Sequence, residues 1–542
     1  MIGTLPRTWL RTARRTLARL PSLGNTLRMT RVPDAPALPV RDPWPGDPAR
    51  GARLLRGEIE YGGVISELRP GAWGEASGSP VLRAVAHSFV WLRDLRALGT
   101  DNARLRARAL VAEWIDSGAT GGGPGDAIAL RPDVIGARVA AWLGHYDFFA
   151  ASADDLFRQK LMTRLVADAR NLSAMLPAEE QDARALTALK GLIAAAVALP
   201  ENAAFLTRAL RFLPGEIASQ VFADGCHVER SPVAQLQALQ DLTEMRALLQ
   251  AAQVQPPTAL SSAIERMALA LRVLRHGDGG LALFNGSREE IPALVDLALT
   301  QAGRGGRGPS SLAEGGFQRL QAGRTVLIVD CGVPPPPGVD RFSHAGTLSL
   351  EMSVGRDRLI VNCGGFPAGS PEWRDATRAT AAHSTLTIAE VNSSELMRDG
   401  LGHRPEKVHV QRQEANGAYW LEASHDGWQK MFGAIHRRRL YLAESGEDLR
   451  GEDLIEAPTP QPFILRFHLH PTVHARMQQD GETVLLRVAS GGGWRLKADG
   501  ARVSIEESIY LGGAEPRRTE QIVLTGFADG PQQVKWAVTK VG

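Results

Sequence analysis

Acids, bases and guanidinium groups crowd three short stretches of this chain. In "ADGCHVERSP", residues 223–232, the polar side chains of Asp224, His227, Glu229, Arg230 and Ser231 fall close together. A loop of this kind at a helix start could hold an anion, because free N–H groups and a guanidinium both favour negative charge. His227 is then a candidate base, tuned by Glu229 or Asp224. The same loop could equally be a cap, with Ser231 as N-cap ahead of Pro232. In "RHGDGGLALFNG", residues 275–286, His276 and Asp278 sit among glycines that let a backbone approach a ligand closely or simply turn the chain. In the third stretch His344, Asn362 and His383 stand at the ends of three expected strands. Two imidazoles and one oxygen ligand could hold a structural zinc, although a neutral amide binds zinc less well than a carboxylate. Glu351, Asp357 and Asp375 are alternative oxygen ligands, and a structural polar cluster is the alternative to a metal.

Cys226, Cys331 and Cys363 form no Cys-x-x-Cys unit, and three cysteines cannot build a disulfide framework. Cys226 next to His227 does not define a nucleophile, because adjacent side chains rarely face each other. No phosphate-binding or dinucleotide fingerprint is present.

The elements that must position these residues differ between the two halves. From about residue 80 to 300, apolar residues recur every three or four positions and breakers separate the runs. Helices are expected at 83–98, 102–117, 132–149, 156–176, 183–199, 202–220 (interrupted at Pro214 and Gly215), 235–250, 260–274 and from 291. Short connections favour stacked helical hairpins. After a Gly-rich link near 305, short period-two runs separated by turns indicate an antiparallel β-sandwich. The expected division is a basic leader and Pro/Gly-rich entry (1–60), a helical domain (61–305), a linker (306–324) and a β domain (325–542).

Composition excludes several classes. With 62 basic and 59 acidic residues, the 542-residue chain lacks the concentrated charge of a nucleic-acid-binding protein. No apolar run is long enough to span a membrane. Residues 1–33 carry seven arginines and no acid, with Trp9, Leu10, Leu17 and Leu20 between them. The arginines interrupt every apolar core a signal peptide would need. A peripheral contact with an anionic membrane is one reading of this leader, and a basic helix packed on the protein is the other.

"DGCHVERSP", "HGDGGLALFN", "SHAGTLSLEM", "LIVNCG" and "AAHSTLTI" together resemble motifs of the heparinase II/III-like family of polysaccharide lyases, over roughly residues 80–540. The resemblance implies a multidomain α + β fold, an incomplete (α/α) toroid followed by an antiparallel β-sandwich. It implies β-elimination on a uronic-acid polysaccharide: a base removes the C5 proton, an acid protonates the leaving oxygen, and positive groups neutralise the carboxylate. Family members carry a Tyr where this chain has Ala234, a His where it has Phe342, and an Asp where it has Asn362. An Asn-His pair of the family corresponds to Ala183 and Arg184. The remaining catalytic candidates are His227, Glu229, Arg230, Arg184 and His276, with Arg184 and Arg230 neutralising a carboxylate. Tyr146, Tyr419 and Tyr441 are spatial replacements for the missing Tyr, and hydrolysis through Asp224, Glu229 and Asp278 is a further chemistry.

The expected function is therefore a lyase-like enzyme on an acidic glycan, with a non-catalytic glycan-binding or envelope-associated protein on the same scaffold as the alternative. The partner is an acidic polysaccharide or oligosaccharide, not nucleic acid, and the oligomeric state is not legible. The resemblance implies the cell envelope or periplasm, and the absence of a clear signal peptide keeps a cytoplasmic or membrane-peripheral location open.

Overall fold

The computed structural model describes residues 32–68, 73, 79–117, 126–179, 181–199, 203–303, 306 and 308–541. The leader therefore lies outside the described residues up to position 31, as do the Gly-rich stretch at 121–125 and parts of the one near 305. The chain forms two compact units, residues 1–217 with 241–261, and residues 218–240 with 262–542. The loop at 223–232 and the last helical residues cluster with the sheet.

The first unit is mostly helical. After α1 (Pro48–Leu55) and a small hairpin, β1 (Glu58–Tyr61) with β2 (Val64–Glu67), come α2 (Pro80–Ser88), α3 (Asp101–Asp116), α4 (Pro132–Gly144), α5 (Asp155–Met175), α6 (Ala183–Ala198) and α7 (Ala203–Gln220). α8 (Pro232–Ala251) begins in the second unit and ends in the first, and α9 (Thr258–Val273) lies mostly in the second. Side-chain oxygens of Ser79, Thr100, Asp154 and Asp182 cap α2, α3, α5 and α6, taking N–H groups that have no helical partner.

The expected helix 83–98 breaks after Ser88. Phe89 adopts φ 58°, and its fully buried ring packs among Trp73, Trp91, Trp114 and Trp142. The expected interruption at Pro214 is absent, and α7 runs through it. α6 is buried nearly all round, as its composition requires. It crosses α4 where Gly136 and Gly191 meet: a Cβ on Gly191 would lie 2.3 Å from the Gly136 Cα. The entry segment is held as well, with Ala37 N–H donating to Ala198 O and Asp42 N–H to Gly144 O.

In the second unit α10 (Pro292–Ala302) precedes the strands β3 (Phe317–Ala322), β4 (Thr325–Asp330), β5 (Leu350–Val354) and β6 (Asp357–Val361). Then come α11 (Pro371–Arg378), β7 (Leu386–Ile388), β8 (Val408–Ala415), β9 (Ala418–Trp428), β10 (Ala434–Leu442) and β11 (Asp448–Leu469). β12 (His474–Met477), β13 (Thr483–Arg487), β14 (Gly493–Asp499), β15 (Arg502–Tyr510) and β16 (Arg517–Val541) complete the chain. β3 occupies part of the expected linker.

Every pairing is antiparallel. The two longest strands, β11 and β16, pair along most of their length and carry the other strands on their flanks. β11 is irregular between Ala457 and Gln461, where a bulge redirects the strand. One apolar cluster joins Leu327 and Met352 of β4 and β5 to Leu440, Leu449 and Trp536 of β10, β11 and β16, so alternate residues of distant strands share one core.

Candidate functional site

The loop before α8 is shaped by its own hydrogen bonds. Gly225 has φ +85°, and a Cβ there would lie 2.2 Å from Arg266 O, so no other residue fits without displacement. Asp224 accepts from Cys226 N–H at 2.9 Å, Glu314 N–H at 2.7 Å and Gly315 N–H at 2.8 Å. His227 is fully buried. Its Nε2 lies 3.0 Å from Gln220 Oε1 and its Nδ1 accepts from Glu229 N–H at 3.4 Å, while Gln235 Oε1 takes its backbone N–H at 2.6 Å. Both ring nitrogens are engaged.

Arg230, at φ 52°, donates to Gly315 O at 2.7 Å, Val333 O at 2.9 Å and the Asp330 carboxylate. Its guanidinium lies over the Phe317 ring. Arg230 is a clamp, not an open carboxylate receptor. The N–H of Val233 is taken by Ser287 Oγ at 3.1 Å, so the α8 start is served by a residue distant in sequence and not by Ser231.

Glu351, in the middle of β5, organises the next group. It is fully buried. Oε2 meets His276 Nε2 at 2.8 Å, and the two oxygens also accept from Leu283 N–H, Asn362 N–H and Asn362 Nδ2. Ser353 Oγ lies 2.9 Å from His276 Nδ1. The close approach of Gly277 to Gly355, whose carbonyl a Cβ would meet at 1.8 Å, seats His276 here. Burial pushes the His276 pKa down.

His344 and His383 come together, with His344 Nδ1 3.0 Å from His383 Nε2. His383 Nδ1 lies 2.8 Å from Ala379 O, so the Nδ1–H tautomer leaves Nε2 as acceptor. Asn362 does not join them as a ligand: its Oδ1 accepts from Ser384 N–H at 2.9 Å and its Nδ2 donates to Glu351. Among the described residues no group of three or more His, Cys, Asp and Glu side chains could hold a metal ion. Two imidazoles without a third protein ligand do not fit a structural zinc, which is usually closed by four.

Asn285 ties these groups to the first loop, with Nδ2 donating to Arg230 O at 2.9 Å and Oδ1 accepting from His344 N–H at 3.1 Å. The structure therefore brings Arg230, His276, His344, Asn362 and His383 into one buried hydrogen-bonded region of the second unit. Glu229 is half-buried beside His227, 3.7 Å from its Nδ1. Arg184 belongs to the first unit, where it grips Asp182, the cap of its own helix, with Nη2 at 2.8 Å. Burial pushes the Cys226 thiol up to about 12, the opposite of nucleophile activation.

Two constellations escaped the sequence reading. In one, Tyr510 donates to Glu289, which also meets His470 Nε2 at 3.3 Å, while Arg358 pairs with Asp278 at 2.8 Å. These residues come from segments far apart in sequence, and no local pattern links them. In the other, Lys190 reaches Asp241 at 2.8 Å and Glu244 at 3.2 Å. Here a signal existed: a lone lysine inside "ALTALKGLIAAAVAL" is buried with its helix and requires carboxylates.

The comparisons agree with this architecture. Residues 304–537 match the family model for Heparinase II/III-like, C-terminal. FtsZ-localized protein C of Caulobacter vibrioides (strain NA1000 / CB15N) is 32% identical over 524 residues, covering 92% of this chain and 89% of that protein. Among solved structures, heparinase III superposes with a TM-score of 0.71 at 14% identity, covering 86% of this chain and 79% of that one. Heparan sulfate lyase HepC from Pedobacter heparinus gives 0.58 at 16% identity, covering 98% and 88%. At such identities the likeness to these two structures is one of fold. The chain belongs to the heparinase II/III-like family.

Proposed function

We propose that this chain is a non-catalytic member of its family that localises with FtsZ, on the toroid and sandwich scaffold that the resemblance implies. One observation carries the reading: His227, the histidine offered as base, and His276, the other histidine among the catalytic candidates, are buried with both ring nitrogens in hydrogen bonds. A general base must reach the proton it removes, and neither imidazole has a free nitrogen to offer. Of the two candidates for carboxylate neutralisation, Arg230 is committed to Asp330 and two carbonyls, and Arg184 grips Asp182. The relative that spans nearly the whole chain is named for its place with FtsZ. The arginine-rich leader supplies the second contact, with an anionic membrane surface.

Lyase action on a uronate glycan is the second reading, favoured by the likeness of fold to heparinase III and HepC. It requires residues other than His227 and His276. Incubating the full-length protein with heparan sulfate and alginate separates the two. We expect no ultraviolet-absorbing unsaturated uronate, and co-sedimentation with FtsZ polymers. Accumulation of the unsaturated product overturns the non-catalytic reading, and failure to sediment with FtsZ overturns the localisation.

A further inference from the structure

The helical unit contains a cavity of about 410 Å³, well within the range of small-molecule sites. Its walls are built from small apolar residues at the facing surfaces of three helices: Ala140 and Ala141 of α4, Ala194 and Val197 of α6, and Ala247 and Ala251 of α8. The entry segment 38–43 covers one side. Larger side chains at these positions would fill the space, and α4 and α6 cross closely about one turn away, at Gly136 and Gly191.

Charged groups converge on the same cavity. Asp42, Arg93, Lys190, Glu244 and Arg41 all line it. The carboxylates are already served. Asp42 accepts from Arg93 Nε at 3.0 Å and Nη2 at 2.9 Å, from Trp44 N–H at 2.9 Å, and meets His145 Nε2 at 3.1 Å. Glu244 takes Lys190 and the Trp44 indole N–H. The cations are not all served. Arg93 uses only its Nε and Nη2 edge, and Nη1 has no partner among the described residues. Arg41 is exposed and lies within electrostatic reach of Asp147, whose carboxylate oxygens are taken by Arg96. The unfilled donors are thus cationic, while most of the wall is apolar.

We propose that this cavity binds one small amphiphile, with an anionic carboxylate or phosphate head on Arg41 and Arg93 Nη1 and an apolar chain along the alanine walls. At ~30 Å³ per water-sized volume the space takes about a dozen non-hydrogen atoms, a chain of roughly ten carbons with its head. The inference does not depend on the proposed function, since an active lyase and a non-catalytic protein would carry the same cavity.

Calorimetric titration of the full-length protein with decanoate, decyl phosphate, decanol and decylammonium, each as monomer, tests it. We expect one decanoate or decyl phosphate per chain, at least about tenfold tighter than decanol, and no decylammonium binding. The tighter of the two anions distinguishes a fatty carboxylate from a phosphorylated lipid. Ala140→Leu with Ala247→Leu fills the cavity and should abolish uptake without lowering Tm. Arg41→Gln, at an exposed residue, should weaken the anions and leave decanol unchanged. No binding of any probe, equal binding of decanol or decylammonium, or uptake that survives the double leucine variant overturns the proposal.

Discussion

At the scale of the residue, a side chain's chemistry here depends on whether its hydrogen bonds are already made. Arg230 has the sequence surroundings of an anion receptor, yet its donors are taken by Asp330, Gly315 and Val333. Both members of the Arg230–Asp330 pair are nearly inaccessible. Removing one partner from such a pair leaves an uncompensated charge, costing about 3–5 kcal/mol. Asp330→Ala should therefore lower stability by about that amount in urea unfolding, whereas Asp296→Ala, at the exposed pair with Arg275, should change it by less than about 1 kcal/mol. Equal losses would mean that the Arg230 clamp contributes nothing special.

Among elements, the decisive feature is how closely backbones approach. α4 and α6 meet at Gly136 and Gly191, where a Cβ on either residue would enter the other helix. Gly191→Val should destabilise the helical unit by at least about 1–3 kcal/mol, the usual range for overpacking. Gly215, on α7, has open space around its Cβ position, and Gly215→Ala should be neutral or stabilising, because alanine favours helix by about 1 kcal/mol. Circular dichroism melts of the two variants check both. A neutral Gly191→Val would show that the helices can separate without loss, against the close crossing described above.

Across the whole molecule, six histidines are buried in the second unit and held below their ordinary pKa. Desolvation is the leading cause for each of His276, His344, His383, His425, His436 and His468. His383 is lowered to about 4 and His468 to about 3. In the unfolded chain these groups protonate near about 6.5, so below that pH the unfolded state binds more protons. Their contribution is complete above about 6.5 and is lost as pH falls toward the folded values. Stability should thus be flat between about pH 7 and 8 and fall by several kcal/mol, in order of magnitude, between about pH 6.5 and 4. Unfolding titrations at constant ionic strength measure this, and a stability independent of pH in that window would show that the histidines stay accessible to protons.

Much of the fold was legible in the sequence, because local periodicity reflects which face of an element is buried. Runs of period 3.6 marked most of the helices within a few residues, and period-two runs marked the antiparallel strands. Phe89 broke an expected helix because its ring was needed in an aromatic cluster assembled from other segments. Pro214 did not break one, although its type argues for it. The candidate site was legible as a set of residues and not as an arrangement. Motifs named His227, Arg230, His276, His344 and His383, but hydrogen bonds from residues such as Gln220, Glu351, Asn285 and Asp330 determine what those side chains can do.

The sequence by itself determined the two textures of the chain, the family, the balanced charge and the arginine-rich leader, since each follows from composition or short-range order. Only the tertiary structure decided that the histidines are sealed, that Asn362 faces Glu351 and Ser384, and that Arg93 and Lys190 converge on a cavity. Burial and partner choice are properties of contacts between residues far apart in sequence, and no local pattern encodes them.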